Sequence, residues 1–216
     1  MIEIGELKRT VIFCSDKIID FENKLLHFND VIAAVSKLES ENSNLKKEVS
    51  LLNAKINNIE KQNRQNNIEI QNVPYKSGEN LIEMVNSIGS SMGVQVEPRA
   101  IDYVTRVPTS VKDKHKNIIV RFSNKNDRDN FLANYRKKRA TMGSTHAGIT
   151  VSNVADRLYI NEHLTLADKI IFKQARELAK HKGYKYVWTH NGNVLIRRDD
   201  NSRIIHISSE NDISRL

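Results

Sequence analysis

Apolar residues recur along the first third of the chain at Ile18, Phe21, Leu25, Phe28, Ile32 and Val35, then at Leu38, Leu45, Val49, Leu52, Ile56 and Ile59. Their spacing alternates between three and four residues or spans seven, which is the seam of a coiled coil. Two successive steps of three, Ile32 to Val35 to Leu38, form a stammer that locally overwinds a supercoil. Neither proline nor glycine interrupts residues 15–72. A continuous helix from Ile18 to Asn66 is about 73 Å long at 1.5 Å per residue, far longer than a helix inside a globular domain. Asn42, Asn63 and Asn66 fall on seam positions, where they set register and weaken the assembly. Lys55-Ile56-Asn57-Asn58-Ile59-Glu60 resembles the Arg-h-x-x-h-Glu pattern of parallel trimers, with lysine lacking arginine's bidentate grip. A helix packed on its own domains also carries an apolar stripe, but seven heptads favour self-association.

At Asn66-Asn67-Ile68-Glu69-Ile70-Gln71-Asn72-Val73-Pro74 the period changes from helical to alternating. Ile68 and Ile70 point one way, so a strand begins there. Leu81, Met84, Val85, Ile88 and Met92 then return to helical spacing and Gly93 closes the helix. Val94 to Val96 and Ile101 to Val107 read as strand on either side of Pro98. Asn117 to Phe122 reads as strand, Lys125 to Arg139 as helix with Phe131, Leu132 and Tyr135 inward, and Ile149 to Val154 as a last strand. The order β-α-β-β-α-β is that of the ferredoxin-like fold and of the RNA-recognition motif. In that motif the first strand runs aliphatic, aromatic, aliphatic, any, Asn or Gly, aliphatic. Ile68 to Val73 matches it except that Glu69 stands at the aromatic position. The third strand places Asn117, Ile119 and Arg121 outward and Ile118, Val120 and Phe122 in the core, again without stacking aromatics. Binding on this sheet would therefore lean on backbone electrostatics rather than base stacking.

A third pattern follows. Arg157 to Leu164 has a strand-like start, and Thr165-Leu166-Ala167-Asp168 opens a helix as a capping box. Ile170, Ile171, Ala175, Leu178 and Ala179 form its expected buried face; Lys169, Lys173, Arg176, Lys180 and Lys182 form its exposed one, and Gly183 ends it. Tyr184 to Thr189 and Val194 to Arg198 are strands joined by the turn His190-Asn191-Gly192-Asn193, and a further strand is expected over Arg203 to Ser208. Tyr184, Tyr186 and Trp188 share a face, which is expected to pack the helix in preference to stacking bases; Tyr103 and Tyr159 are weaker stacking candidates. The fold class is α+β: a long N-terminal coiled-coil helix, a ferredoxin-like (RRM-like) domain, and a small C-terminal domain of a helix on an antiparallel sheet. The divisions are a tail over residues 1–14, coiled coil over 15–66, RRM-like domain over 67–154 and C-terminal domain over 155–216.

Charge sharpens this picture. Residues 1–66 hold 10 Lys+Arg and 10 Asp+Glu of the chain's 34 and 26, leaving 24 and 16 for residues 67–216, so the whole excess of +8 lies in the globular part. A basic globular part suits a polyanion. The candidate phosphate contacts are Lys112, Lys114 and Lys116 with His115 in one loop, Arg121, and the run Arg136, Lys137, Lys138 and Arg139 at a helix C-terminus. In the third segment they are Arg157, Lys173, Arg176, Lys180, Lys182, Arg197, Arg198 and Arg203. A groove between the middle and C-terminal domains would be positive. Arg136 to Arg139 also suits the macrodipole of its helix, or a short nuclear-localisation signal.

Tyr159-Ile160-Asn161-Glu162-His163-Leu164-Thr165, Gly183-Tyr184-Lys185-Tyr186-Val187-Trp188 and Asn191-Gly192-x-Val194-x-Ile196-Arg197-Arg198 resemble the C-terminal domain of the baculovirus few-polyhedra (FP) protein. The same arrangement occurs in first-open-reading-frame proteins of insect LINE-type non-LTR retrotransposons. With the coiled coil and Arg64-Gln65-Asn66-Asn67-Ile68-Glu69-Ile70, the chain from about residue 18 onward is similar to such proteins. The resemblance implies an oligomer, a trimer by preference, that coats single-stranded RNA or DNA or acts as a nucleic-acid chaperone in a ribonucleoprotein. A protein partner of the coiled coil, in an FP-like assembly role, is the alternative. Retrotransposon relatives often add a PHD-type or CCHC zinc finger, and this sequence has neither.

Catalysis has little support. The seven histidines are scattered, no Cys–His spacing suits zinc, and eight glycines form no phosphate loop. His163 beside Glu162 is better suited to capping and packing, and Asp199-Asp200 to a turn. No enzyme, cofactor or metal is expected. Cys14 has no partner in the chain, no stretch approaches a membrane span, and Glu3, Glu6 and Asp16 around the short apolar run Val11 to Phe13 do not suit a signal peptide. Cytoplasm or nucleus is the expected compartment.

Overall fold

The computed structural model describes residues 2–108, 115–142, 149 and 157–216. The chain forms two compact units, residues 1–56 and 57–216. The first is helical at every described residue, part of helix α1, Ile2–Asn63. The segment read as a tail is therefore helix from Ile2; it contains one glycine, Gly5, and no proline to break the hydrogen-bond ladder. Every seam residue from Ile18 to Ile59 is exposed in the single chain, at 46–63% of full exposure.

The second unit begins in the last turns of α1. A short turn leads into β1, Asn67–Gln71, then α2, Leu81–Ser91, a 3-10 turn at Pro98–Ala100, β2, Ile101–Arg106, β3, Ile118–Phe122, α3, Lys125–Thr141, and β4, Tyr159–Glu162. The sheet order is β2-β3-β1-β4 with every neighbouring pair antiparallel, which is the ferredoxin-like arrangement. Ile68, Ile70, Ile118, Val120, Phe122 and Ile160 pack from the sheet against Val85 and Ile88 of α2 and Phe131, Leu132 and Tyr135 of α3. Asn72, at the position where the strand pattern asks for Asn or Gly, has φ 65°, and its side-chain amide donates to the Arg157 carbonyl at 2.8 Å. Asparagine tolerates this left-handed conformation better than most residues, which gives that position its physical meaning.

Two strands differ from expectation. Val94 to Val96 is not strand: the Val94 N–H turns back to the Gly89 carbonyl at 2.9 Å. Gly89 permits that approach, since a Cβ there would stand 2.8 Å from the Val94 oxygen. Among the described residues the strand on the free edge of β1 is Tyr159–Glu162, read from sequence as the start of the C-terminal segment. β4 pairs along the free edge of β1, with Ile160 opposite Ile70 and Glu162 opposite Ile68. Ile149 forms an isolated bridge with Leu158, both fully buried; residues 150–154 lie outside the described residues.

Beyond β4, α4, Leu166–Lys182, packs on a three-stranded antiparallel sheet of β5, Tyr186–His190, β6, Asn193–Arg197, and β7, Ile205–Ile207, followed by α5, Glu210–Ser214. Thr165 caps α4 by accepting the Asp168 N–H, and Gly183 ends it at φ 72°. Ile171, Ala175 and Ala179 meet Val194, Ile196 and Ile207. Ile170, expected in this core, is 47% exposed. The short α5 has a full capping box between Ser209 and Asp212.

Candidate functional site

The β5–β6 hairpin turns at Asn191-Gly192, with φ 52° and 74°, the backbone of a type I′ turn and the reason for an Asn-Gly pair. Its register sets Val187 opposite Ile196 and Thr189 opposite Val194, so these residues share the α4 side. Tyr186 opposite Arg197 and Trp188 opposite Leu195 lie on the other side. The expectation that the Tyr/Trp face packs the helix is overturned for Tyr186 and Trp188. Ala175 and Ala179 bring α4 close to the sheet, leaving room for valine and isoleucine but not for two large rings. Tyr184, just ahead of β5, does pack partly on this core.

A groove of about 770 Å³ runs along β5, lined by Tyr184, Tyr186 and Trp188, by Lys185 and Arg197, by Arg176 and Lys180 of α4, and by Arg139 of α3. Five cations and three aromatic rings thus meet at one concavity. Arg197 lies 4.8 Å and Lys185 5.0 Å from the Tyr186 ring centroid, and Arg198 lies 5.3 Å from that of Tyr184. Such cation–π contacts hold the guanidinium and ammonium groups beside the rings. Asp200 faces the same cluster: its carboxylate accepts from Lys185 Nζ at 2.7 Å and from the Tyr186 hydroxyl at 2.6 Å, with Arg197 Nη2 at 3.4 Å. The bond from Lys185, then that from Tyr186, holds the Asp200 carboxyl below the usual carboxylate range. Cations beside half-buried aromatic rings can grip backbone phosphates while bases stack, without reading sequence.

Buried polar contacts bring Arg139 and the hairpin together. Glu162, at the end of β4 and 6% exposed, accepts the backbone N–H groups of Asn191 at 3.0 Å and Gly192 at 2.8 Å. Arg128 of α3, itself 3% exposed, reaches the same carboxylate at 3.5 Å and donates Nε to the Gln65 carbonyl at 2.6 Å. The hairpin tip is thereby clipped to the four-stranded sheet and α3. At the start of α4, Asp168 is paired with Lys61 of α1 at 2.9 Å, and Arg64 donates to the Leu164 carbonyl at 2.8 Å.

Glu69, the carboxylate in place of an aromatic residue, belongs to this set. It is 2% exposed, accepts from Asn117 Nδ2 at 2.6 Å and is paired with Lys169 of α4 at 2.9 Å. Asn67 and Ile119 beside it are also buried. The middle of the sheet face that carries bases in an RNA-recognition motif is therefore closed, and its acid neutralises a lysine of the next segment. Tyr103 and Tyr159 are the partly exposed rings of this sheet.

Next to Asn67, His163 Nδ1 lies 3.3 Å from the Asn67 amide nitrogen, an acceptor's place for a neutral imidazole. Burial first, and then the Arg64 charge, push its pKa down to about 4. The unfolded chain takes up that proton near pH 6.5 and the folded chain only near 4, so stability contributed above pH 6.5 declines as pH falls between these values. With allowance for partial exposure the loss is of order 1–2 kcal/mol. Urea midpoints between pH 7 and 4.5 should fall less for His163→Gln than for the natural chain; parallel profiles would count against the assignment.

Of the sequence candidates, Arg139, Arg176, Lys180 and Arg197 converge on the groove. Lys116, Arg136, Lys137, Lys138, Arg157, Lys173, Lys182, Arg198 and Arg203 do not line it; Arg121 is on the four-stranded sheet, 3.4 Å from Asp102. Lys112 and Lys114 lie outside the described residues. Sequence reading did not single out Lys185. Its place between Tyr184 and Tyr186 is the available signal, but its partner Asp200 lies in the turn after β6, 15 residues on, and only the fold brings the two together. Among the described residues no group of three or more His, Cys, Asp and Glu side chains could hold a metal ion, and no helix is long and apolar enough to cross a membrane.

Fold and site define an α+β protein: a long helix, a ferredoxin-like sheet with a buried acid, Glu69, at the middle of one face, and a small C-terminal domain whose residues line most of a basic, aromatic groove. The family model described as Baculovirus FP protein domain 2 matches residues 165–216. That match begins at the cap of α4, after β4, and so covers the helix-plus-sheet domain and not the strand preceding it. No curated protein matches the chain.

Proposed function

We propose that the chain is a self-associating protein that binds single-stranded RNA, or DNA, with little sequence preference, as a ribonucleoprotein coat or nucleic-acid chaperone. The observation carrying this reading is the convergence of Arg139, Arg176, Lys180, Lys185 and Arg197 with Tyr184, Tyr186 and Trp188 on one groove. Cations supply salt-dependent affinity and rings accept any base. The exposed heptad seam supports an oligomer, a trimer by preference, in which several grooves act on one strand. The order of long helix, RRM-like sheet and FP-type domain supports kinship with insect retrotransposon first-open-reading-frame proteins. We assign the chain a binding role rather than an enzymatic one, in the cytoplasm or nucleus.

The test is a salt titration of binding to a fluorescent single-stranded oligonucleotide. Arg176→Ala with Arg197→Ala should weaken binding by about tenfold or more and flatten the slope of log affinity against log salt by about 0.7 per lost phosphate contact. An unchanged slope would remove these residues as phosphate contacts. The match to an FP domain also favours a second reading, an FP-like assembly protein acting through protein contacts of α1. Absence of binding at low salt would turn the assignment to that reading.

A further inference from the structure

Three donors of different kinds converge on the Asp200 carboxylate, which is itself on the surface. They are the Lys185 ammonium at 2.7 Å, the Tyr186 hydroxyl at 2.6 Å and the Arg197 guanidinium at 3.4 Å. Both cations are within 5.0 Å of the Tyr186 ring centroid, so the cluster is organised around that ring. An ammonium, a guanidinium and a phenol aimed at one pair of oxygens is a donor set for a phosphodiester, which presents two anionic oxygens in much the same way as a carboxylate. Asp200 follows β6 in the turn 199–202, so the chain itself supplies the anion. Its neighbour Asp199 is engaged differently: it accepts the N–H groups of Asn201 and Ser202 at 2.9 and 2.8 Å, shaping the turn.

We propose that Asp200 occupies a phosphate subsite of the groove, and that a single-stranded nucleic acid enters by displacing this carboxylate from Lys185, Arg197 and Tyr186 with a backbone phosphodiester. The inference rests on the nucleic-acid reading above and adds to it a built-in competitor. Asp200 keeps the donors arranged around the Tyr186 ring in the free protein, and its displacement subtracts from affinity. Exposed ion pairs of this kind are individually weak, so the competitor tunes binding rather than abolishing it. Weak internal competition suits a coat that must release its strand.

The experiment measures oligonucleotide binding over a range of salt by the full-length natural chain, Asp200→Asn and Asp199→Asn. The two variants remove the same charge from adjacent positions, and asparagine at 199 can still accept the two turn N–H groups. Asp200→Asn is expected to bind roughly threefold to tenfold more tightly, with a similar salt slope, because the same phosphodiester fills the subsite in both chains and only the internal competitor is lost. Asp199→Asn should gain much less. Equal gains in both variants would reduce the effect to net charge and overturn the subsite, as would an unchanged or weaker Asp200→Asn. Binding by the natural chain with no gain from Asp200→Asn removes the inference and leaves the nucleic-acid reading intact. No binding by any of the three at low salt removes both.

Discussion

Replacing Glu162 by alanine should cost the fold about 3–5 kcal/mol, the range for removing one partner of a buried ion pair. The carboxylate is 6% exposed and the Arg128 guanidinium it faces 3%, so the arginine would stay buried without that anion. The N–H groups of Asn191 and Gly192 would lose their acceptor as well. Arg128 keeps the half-exposed Asp129 at 2.8 Å, which holds the loss toward the lower end. Glu162→Gln retains an acceptor oxygen and should lose less. Urea unfolding of both variants measures the difference through the midpoint at constant slope. A loss below about 1 kcal/mol for alanine would show that the clip at the hairpin tip is dispensable. Because that clip brings Arg139 and β5 to one groove, the variant should also bind oligonucleotide less well under conditions where it remains folded.

Placing glutamates at Val49 and Leu52 should abolish self-association and weaken oligonucleotide binding by about a hundredfold or more, within the range that multivalency adds over single sites. Both side chains sit on the seam and are about half exposed in the single chain, at 55% and 49%. The substitutions would place two charges per copy where apolar side chains are expected to meet. Sedimentation equilibrium reports the assembly and a fluorescent oligonucleotide the affinity. A variant that is monomeric but binds as tightly as the natural chain would separate α1 from nucleic-acid binding. A variant that remains oligomeric would place the contact elsewhere than the seam.

Local patterns were readable wherever a single element explains them. The heptad spacing announced α1, the change of period at Asn67 announced β1, and Asn191-Gly192 announced the hairpin. Hydrophobic periodicity and turn geometry depend on residues close together in the chain, so they survive in sequence. Arg139, Arg176, Lys180 and Arg197 were readable as basic residues, but so were those that stay outside the groove. Composition assigns charge without assigning direction.

The sequence by itself determined the α+β class, the long helix, the basic balance of the globular part and the likeness of its C-terminal segments to an FP domain. Only the tertiary structure decided that Tyr159 to Glu162, read from sequence as the start of the C-terminal segment, pairs with β1, because strand pairing joins residues about 90 positions apart. Only the tertiary structure decided which side of β5 faces α4, since Ala175 and Ala179 set how close the helix comes. The acid in the first strand shows the same division. Sequence shows that Glu69 replaces an aromatic ring, while the partners that allow it to be buried, Asn117 and Lys169, lie 48 and 100 residues away. A buried charge is tolerated only with its partner in place, and that partner is a property of the fold.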